Sequence, residues 1–423
     1  MNIVSGFKKP FISMLFVSCF IINGYSQKDS LREVAMVKSF YTAQHDSIYW
    51  FKSKESLNKA TDWLLMIESA ETFGVIFDQA HSADIRAALL SNKTIGDQYK
   101  VQRDKQITLA ILNFIKSLQE GTVHFDYDAV SGTRDSIYVN LLLNSKLIEP
   151  VSQTVSKLEC KDHDYLVLKK YLNDSIATTD SIKYKKLVLA MNYRRYLFFN
   201  HSSDYIVVNI PETEAYYYGN NFLKLKMRAV VGRKDKPTPT IASYMTNVVT
   251  FPHWNVPHTI GVKEILPKVQ KNDNYLEQNS YDVVNGKGRI VEESTINWKN
   301  YNETNFPYYF RQATGPRNAM GVIKFNLQNP FDIFLHSTSS PAAFTKDLRF
   351  LSHGCIRLEK PLELAKVLIP DKIDIKKIKS GKKNTVSETI SLPSKIPVFI
   401  IYQPVTVVGN KVKFLPDNYG LIK

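Results

Sequence analysis

From Asp104 to Leu118, apolar side chains recur at Ile107, Ile111, Phe114, Ile115 and Leu118. That spacing places them on one helical face, and Gly121 follows as a C-terminal stop. Leu57, Ala60, Leu64 and Ile67 make a second stripe, and segments 163–172 and 182–199 read as further helices rich in Lys, Arg and Tyr. The rhythm changes near Asp204. Tyr205 to Ile210 is a compact apolar run ended by Pro211, hence a strand. Between Phe222 and Val231, Lys224, Lys226 and Arg228 alternate with Leu225, Met227 and Ala229, the period of two of a half-buried strand. Short strands are expected at 321–325, 331–335 and 396–402, and Val405–Val408 and Lys411–Leu415 flank Gly409-Asn410 as a hairpin. The pattern predicts an α+β chain: a mostly helical part over 27–203, then a mainly β, antiparallel part over 204–423.

Two stretches interrupt the β pattern. Residues 266–305 are polar and turn-rich, with Asn272-Asp273-Asn274 and Asn285-Gly286-Lys287-Gly288. A structureless loop of that length is unusual inside a compact domain and is often a lid over a site. Residues 372–383 carry six lysines (Lys372, Lys376, Lys377, Lys379, Lys382 and Lys383), and 372–395 reads as a solvated linker before the last strands. A wall- or lipid-binding patch is the other reading of that run.

The first 26 residues differ from everything that follows. Lys8 and Lys9 precede the apolar run Phe11–Ile22, and Gly24-Tyr25-Ser26 supplies small residues for cleavage. This is the pattern of a secretory signal peptide, too short for a spanning helix. Cys19 raises a lipoprotein reading, but the apolar run continues past it. No later run reaches the length of a membrane span. Of 423 residues, 44% are hydrophobic and 22% charged, so the chain is neither disordered nor a multi-span membrane protein. The net charge of +15 falls to +13 without Lys8 and Lys9. A basic surface favours polyanions, and export to the periplasm or cell envelope removes nucleic acid as the partner in favour of a carboxylate-rich wall.

The chemistry lies in Phe331–Leu358. An apolar strand delivers His336, and fifteen residues separate it from Ser352-His353-Gly354-Cys355-Ile356-Arg357. A thiolate is the nucleophile of cysteine enzymes, and a nearby imidazole can take its proton and return it to an amine. Gly354 permits close backbone approach, so amides beside the nucleophile can face an oxyanion. Arg357 can hold a carboxylate through paired hydrogen bonds. On spacing alone, Cys355 could equally be a buried structural thiol, a zinc ligand with His336 and His353, or a disulfide partner of Cys160. His45, His81, His124, His163 and His201 are scattered singly and read as structural.

These residues resemble the signature of L,D-transpeptidases with a YkuD-type catalytic domain. Met227–Gly232, Phe251–Pro257, Lys263–Pro267, Arg311–Pro316 and Asn318–Gly321 are similar to segments of the larger, YcbB-like branch. The helical part is similar to the scaffold preceding the catalytic domain in that branch. Lys360 stands where many members have asparagine. The resemblance implies that Cys355 attacks the bond before the terminal D-Ala of a peptidoglycan tetrapeptide and holds a thioester. An amine of a second stem then resolves it, giving a 3→3 cross-link. It implies His336 as general base and acid, and backbone amides of His353, Gly354 and Cys355 as the oxyanion hole. Ser337 would orient the imidazole, and Arg357 would support the loop or a stem carboxylate. Trp254, Tyr309 and Arg311 are pocket candidates, and 266–305 falls where the branch has a substrate-capping subdomain. Its partners would be a donor tetrapeptide and an acceptor amine, with no cofactor and no metal. Hydrolysis of the thioester (an L,D-carboxypeptidase), attachment of a protein to the wall, and non-catalytic wall binding are the alternatives.

Overall fold

A computed structural model describes residues 27–76, 97–132, 134–145, 149–174 and 180–422. The expected signal peptide, with Cys19, and His81 lie outside the described residues.

Among the described residues, seven α-helices build the first part: α1 (Gln27–Ala43), α2 (Lys54–Glu68), α3 (Asp97–Glu120), α4 (Asp135–Leu143), α5 (Val151–Leu158), α6 (His163–Asp174) and α7 (Ser181–Asn200). The stripe read on α3 is its buried face: Ile107, Ile111, Phe114, Ile115 and Leu118 are fully covered and pack with Trp63, Leu64 and Ile67 of α2. Ser53 starts α2 with a reciprocal capping box to Ser56, which satisfies amides the first turn leaves open. Asp104 is buried but fully used: it accepts from Tyr41 Oη (2.5 Å) and from the amides of Tyr49 (3.0 Å) and Trp50 (2.7 Å). These bonds offset the desolvation of its charge.

The second part begins with β2 (Tyr205–Asn209), β3 (Glu214–Gly219), β4 (Phe222–Gly232) and β5 (Ile241–Thr250), while a short β1 (Tyr127–Asp128) lies in the helical part. An insert carries β6 (Trp254–Asn255), β7 (Tyr281–Val284), β8 (Ile290–Val291) and β9 (Tyr309–Gln312). Then come β10 (Ile323–Leu327), β11 (Phe334–His336), β12 (Phe350–Ser352), β13 (Ile356–Leu358), helices α8 (Pro361–Leu368) and α9 (Ile375–Lys379), the long β14 (Glu388–Ile401) and the hairpin β15 (Val405–Val408) with β16 (Lys411–Phe414).

The main sheet runs β5-β10-β11-β13-β4-β3-β2-β14, and β14 pairs again with β5. The strands thus close a circuit, which leaves no long unpaired edge. Its interior is the largest core, with Ala229, Val231, Phe325, Leu335, Ile356, Val398 and Phe399. The expectation of an antiparallel sheet needs correction: β11–β13, β2–β14, β1–β5 and β12–β4 are parallel. Period-two patterning reports which face is buried, not which way a neighbour runs. The direction comes from the long crossover between β11 and β13, the kind of link a parallel pair requires.

Residues 266–305 are not a structureless loop. The insert runs more widely, from Trp254 to Gln312, and has its own sheet, β6-β9-β7-β8. Its own core contains Val256, Ile265, Leu266, Val283, Phe306 and Phe310. Sparse apolar positions, separated by turns, concealed that core. The linker expected over 372–395 is also revised: it holds α9, and 388–395 are the first half of β14, paired with β5 up to Ser391 before a register shift. The β15–β16 hairpin packs through Val405 against α6 and α7, where buried Cys160 joins Tyr165, Leu168, Leu187 and Met191. The two parts also meet where the Thr240 amide donates to Asp126 (2.8 Å).

Candidate active site

The parallel pairing of β11 with β13 sets Leu335 against Ile356 and His336 against Arg357. On the other side of β11, Lys324 of β10 opposes His336. Side chains alternate along a strand. Leu335, Ile356 and Phe325 therefore enter the core, while Lys324, His336 and Arg357 form a row on the opposite face. Cys355 immediately precedes β13 and by the same alternation falls on the side of Arg357.

His336 is 6% exposed. Burial, followed by the Arg357 cation, pushes its imidazole down to about 3, against the opposing influence of the Ser337 and Met320 carbonyls. The ring is therefore neutral at physiological pH and able to take a proton. Nδ1 has no hydrogen-bond partner among the described residues. Burial pushes the Cys355 thiol up to about 11, partly offset by the Phe334 backbone and by the cations of Lys324 and Arg357. Sγ lies 3.5 Å from the Asp332 carbonyl, so in this resting geometry the thiol is turned to that oxygen.

The turn before Cys355 is held from below. Gly354 has φ +118°, a region that favours glycine. Thr238 Oγ1 donates to the Gly354 carbonyl (2.7 Å) and accepts from the Gly232 amide (2.8 Å). The Gly354 amide donates to Ser352 Oγ (3.2 Å). Of the three amides expected to bind an oxyanion, this one is already engaged. The His353 ring contacts Glu264 (Nε2–Oε1 2.6 Å), which Lys236 also approaches at 3.3 Å. Burial works to raise the Glu264 carboxyl, but His353 and Lys236 hold it below its usual value. Glu264 lies in a π-helical turn of the insert, Gly261–Ile265. The insert is thus tied to the nucleophile loop through His353, a link that no spacing in the sequence announced.

Ser337 does not orient the ring with its hydroxyl. Its Oγ accepts from Val322 (2.8 Å) and Ile323 (3.2 Å) amides and donates to the Met320 carbonyl (3.0 Å). It braces the loop entering β10, and only its carbonyl acts on His336. Trp254, Tyr309 and Arg311 sit on the small sheet of the insert. Arg311 pairs with Asp282 at 3.1 Å, Tyr309 packs on His258 at 5.2 Å between rings, and Trp254 packs toward Tyr281 at 6.4 Å. Among the described residues, no hydrogen bond or ion pair joins these three to Cys355, His336 or Arg357. Cys160 and Cys355 are both free thiols, so the disulfide reading is set aside. Lys324 was missed in the sequence because it reads as one more polar residue in an alternating strand.

A cavity of about 480 Å³ lies past the carboxyl ends of β11 and β13, lined by Gly321, Ser337, Thr338, Lys360, Lys366 and Lys379. One of the six clustered lysines, Lys379 at the end of α9, stands on its wall rather than in a free linker.

With this geometry in view, comparison with known proteins is informative. Residues 203–379 match the YkuD family, the L,D-transpeptidase catalytic domain, and residues 35–172 match the Scaffold domain family. The chain carries a YkuD-type L,D-transpeptidase catalytic domain behind a Scaffold domain. A curated protein of Haemophilus influenzae, named "Putative L,D-transpeptidase", is 35% identical over 241 residues, 55% of this chain and 47% of that protein. The chain spans about half the length of that relative. Among solved structures, the Ldtfm–avibactam carbamoyl enzyme is 14% identical, with a TM-score of 0.24, covering 47% of this chain and 49% of that one. The catalytic domain of the Enterococcus faecium L,D-transpeptidase acylated by ertapenem is 13% identical with a TM-score of 0.23, covering 47% and 96%. Among the described residues, no helix is long and apolar enough to cross a membrane.

Proposed function

We propose that this chain is an exported cysteine L,D-transpeptidase that forms 3→3 cross-links between peptidoglycan stem peptides. The observation that carries the reading is the register of β11 on β13: it stands neutral His336 beside Arg357, with Cys355 one residue before the strand. This constellation lies within the segment that matches the L,D-transpeptidase catalytic domain.

The steps follow from the chemistry of those groups. The Cys355 thiol turns from the Asp332 carbonyl toward His336, which takes its proton. Sγ attacks the carbonyl between the diamino acid and terminal D-Ala of a tetrapeptide stem. As the C–N bond breaks, the imidazolium returns the proton to the departing amine, leaving a thioester on Cys355. The amine of a second stem attacks that thioester, loses a proton to His336, and the thiol is regenerated. The Thr238-braced turn at Gly354 keeps the backbone beside the nucleophile rigid while charge develops on the carbonyl oxygen. The basic surface suits a carboxylate-rich wall.

The test uses protein beginning at residue 27 and a disaccharide-tetrapeptide, with Cys355→Ala alongside. Mass spectrometry is expected to show a dimer lighter by one D-Ala than two substrates, absent with the variant. A tripeptide monomer alone would reassign the chain as an L,D-carboxypeptidase. No product and no adduct on Cys355 would move it to non-catalytic wall binding.

A further inference from the structure

An enzyme that cuts the last bond of a peptide meets a fixed geometric demand. The attacked carbonyl carbon and the terminal carboxylate carbon are separated by three bonds, so the carboxylate lies about 3–4 Å from the carbon that sulfur attacks. In a half-buried site that anion needs a charged partner, because an unpaired buried charge is costly.

We propose that Lys324 is that partner, receiving the terminal carboxylate of the donor peptide and so restricting the enzyme to donors that end one residue beyond the scissile bond. The inference rests on the transpeptidase reading above and names the residue that selects its donor. Three observations lead to it. The first is register: Lys324 opposes His336 across β10–β11, and His336 opposes Arg357 across β11–β13, so all three share the face opposite the core. The second is direction. Lys324 Nζ lies 4.1 Å from the centroid of the Phe334 ring. Phe334 precedes Leu335, which pairs with Ile356, and therefore stands level with Cys355. The ammonium leans along the row toward the nucleophile, whereas Arg357 stands level with the imidazole. The third is vacancy of charge: among the described residues no carboxylate forms an ion pair with Lys324, in contrast to Arg228 with Glu359, Arg349 with Glu214 and Arg194 with Asp162.

The surroundings fit an anion-accepting role. Burial works to pull the Lys324 ammonium below its ordinary value, while Cys355 once ionised, and the Asp332 carboxylate, oppose this. A bound carboxylate stabilises the ammonium in the same way. The arrangement also orders the reaction. The leaving amino acid carries the carboxylate with it, so after the C–N bond breaks nothing on the acyl-enzyme remains tied to Lys324. The released amino acid then clears the space from which the acceptor amine approaches.

The experiment measures kcat/KM for formation of the Cys355 thioester by intact mass, with the tetrapeptide as free acid and as its C-terminal amide. Wild type, Lys324→Met and Lys324→Arg are compared. Wild type is expected to prefer the acid by about 30- to 100-fold, the worth of a charge-assisted hydrogen bond. Lys324→Met is expected to lose most of that preference, chiefly by slowing the acid, and Lys324→Arg to restore much of it. The amide rate within each variant reports that the protein is folded and that Cys355 reacts. Wild-type acylation with an undiminished preference in Lys324→Met overturns the proposal and leaves the transpeptidase reading intact. If wild type forms no thioester with either peptide, the transpeptidase reading itself falls and takes this assignment with it.

Discussion

Acid should destabilise this protein through His336, and the size of the effect follows from where the ring sits. His336 is 6% exposed and faces the cation of Arg357, so burial and that charge push it down to about 3 from the ordinary 6.5. In the unfolded chain the same imidazole takes a proton near its ordinary value. The sign follows: the unfolded state binds the proton first, so stability is fully present above 6.5 and is lost as pH falls toward the folded value. Each pH unit below 6.5 removes about 1.4 kcal/mol from this group, so at pH 5 the loss is about 2 kcal/mol. The perturbation is His336→Gln, which is neutral throughout. The assay is urea unfolding of both proteins at pH 7.5 and pH 5, reading the change in unfolding free energy between the two. Other groups titrate in both proteins and cancel in the comparison. The variant should lose about 2 kcal/mol less than wild type over this interval. Equal losses, within about 0.5 kcal/mol, would refute the claim that a neutral, buried imidazole stands in the site.

Two further substitutions probe what supports the site. Gly321 has φ +63°, and a Cβ there would clash with Ser337 Oγ and meet the Thr338 amide nitrogen at 2.7 Å. Gly321→Ala should lower the unfolding free energy by about 2–4 kcal/mol and slow acylation by displacing the segment after His336; urea curves and thioester mass check both. Thr238→Val keeps the shape but removes the hydroxyl that joins the Gly232 amide to the Gly354 carbonyl. It should cost about 2 kcal/mol and slow thioester formation at Cys355, since two buried polar groups lose their partner; an unchanged acylation rate would show that the brace does not serve the nucleophile.

Much of this could be read along the chain because it depends on local physics. The stripe from Ile107 to Leu118 is helical because residues three and four apart share a face, and all five of its side chains are buried. The hairpin around Gly409 was legible because a left-handed position there, φ +61°, suits glycine. The candidate pair His336 and Cys355 could be named from their residue types and from the block that surrounds them. Ser337 reaches His336 through its backbone and not its hydroxyl, which turns to Val322, Ile323 and Met320, a distinction that adjacency in sequence does not carry.

The chain alone therefore determined the order of helical and β-rich parts and several of the helices and strands, and it supplied Cys355 and His336 as the candidate nucleophile and base. Tertiary structure decided the rest. The parallel sense of β11 and β13 selected Arg357 as the neighbour of His336, and the pairing with β10 brought in Lys324. Glu264 reached His353 across 89 positions of sequence, and a turn-rich stretch acquired a core around Phe306 and Phe310. The physical reason is one of range. Side-chain periodicity and backbone preference act over a few residues, and so leave a trace in the order of amino acids. Strand direction, closure of the sheet and the charge around a buried imidazole are set by partners distant in sequence, whose positions exist only once the whole chain has packed.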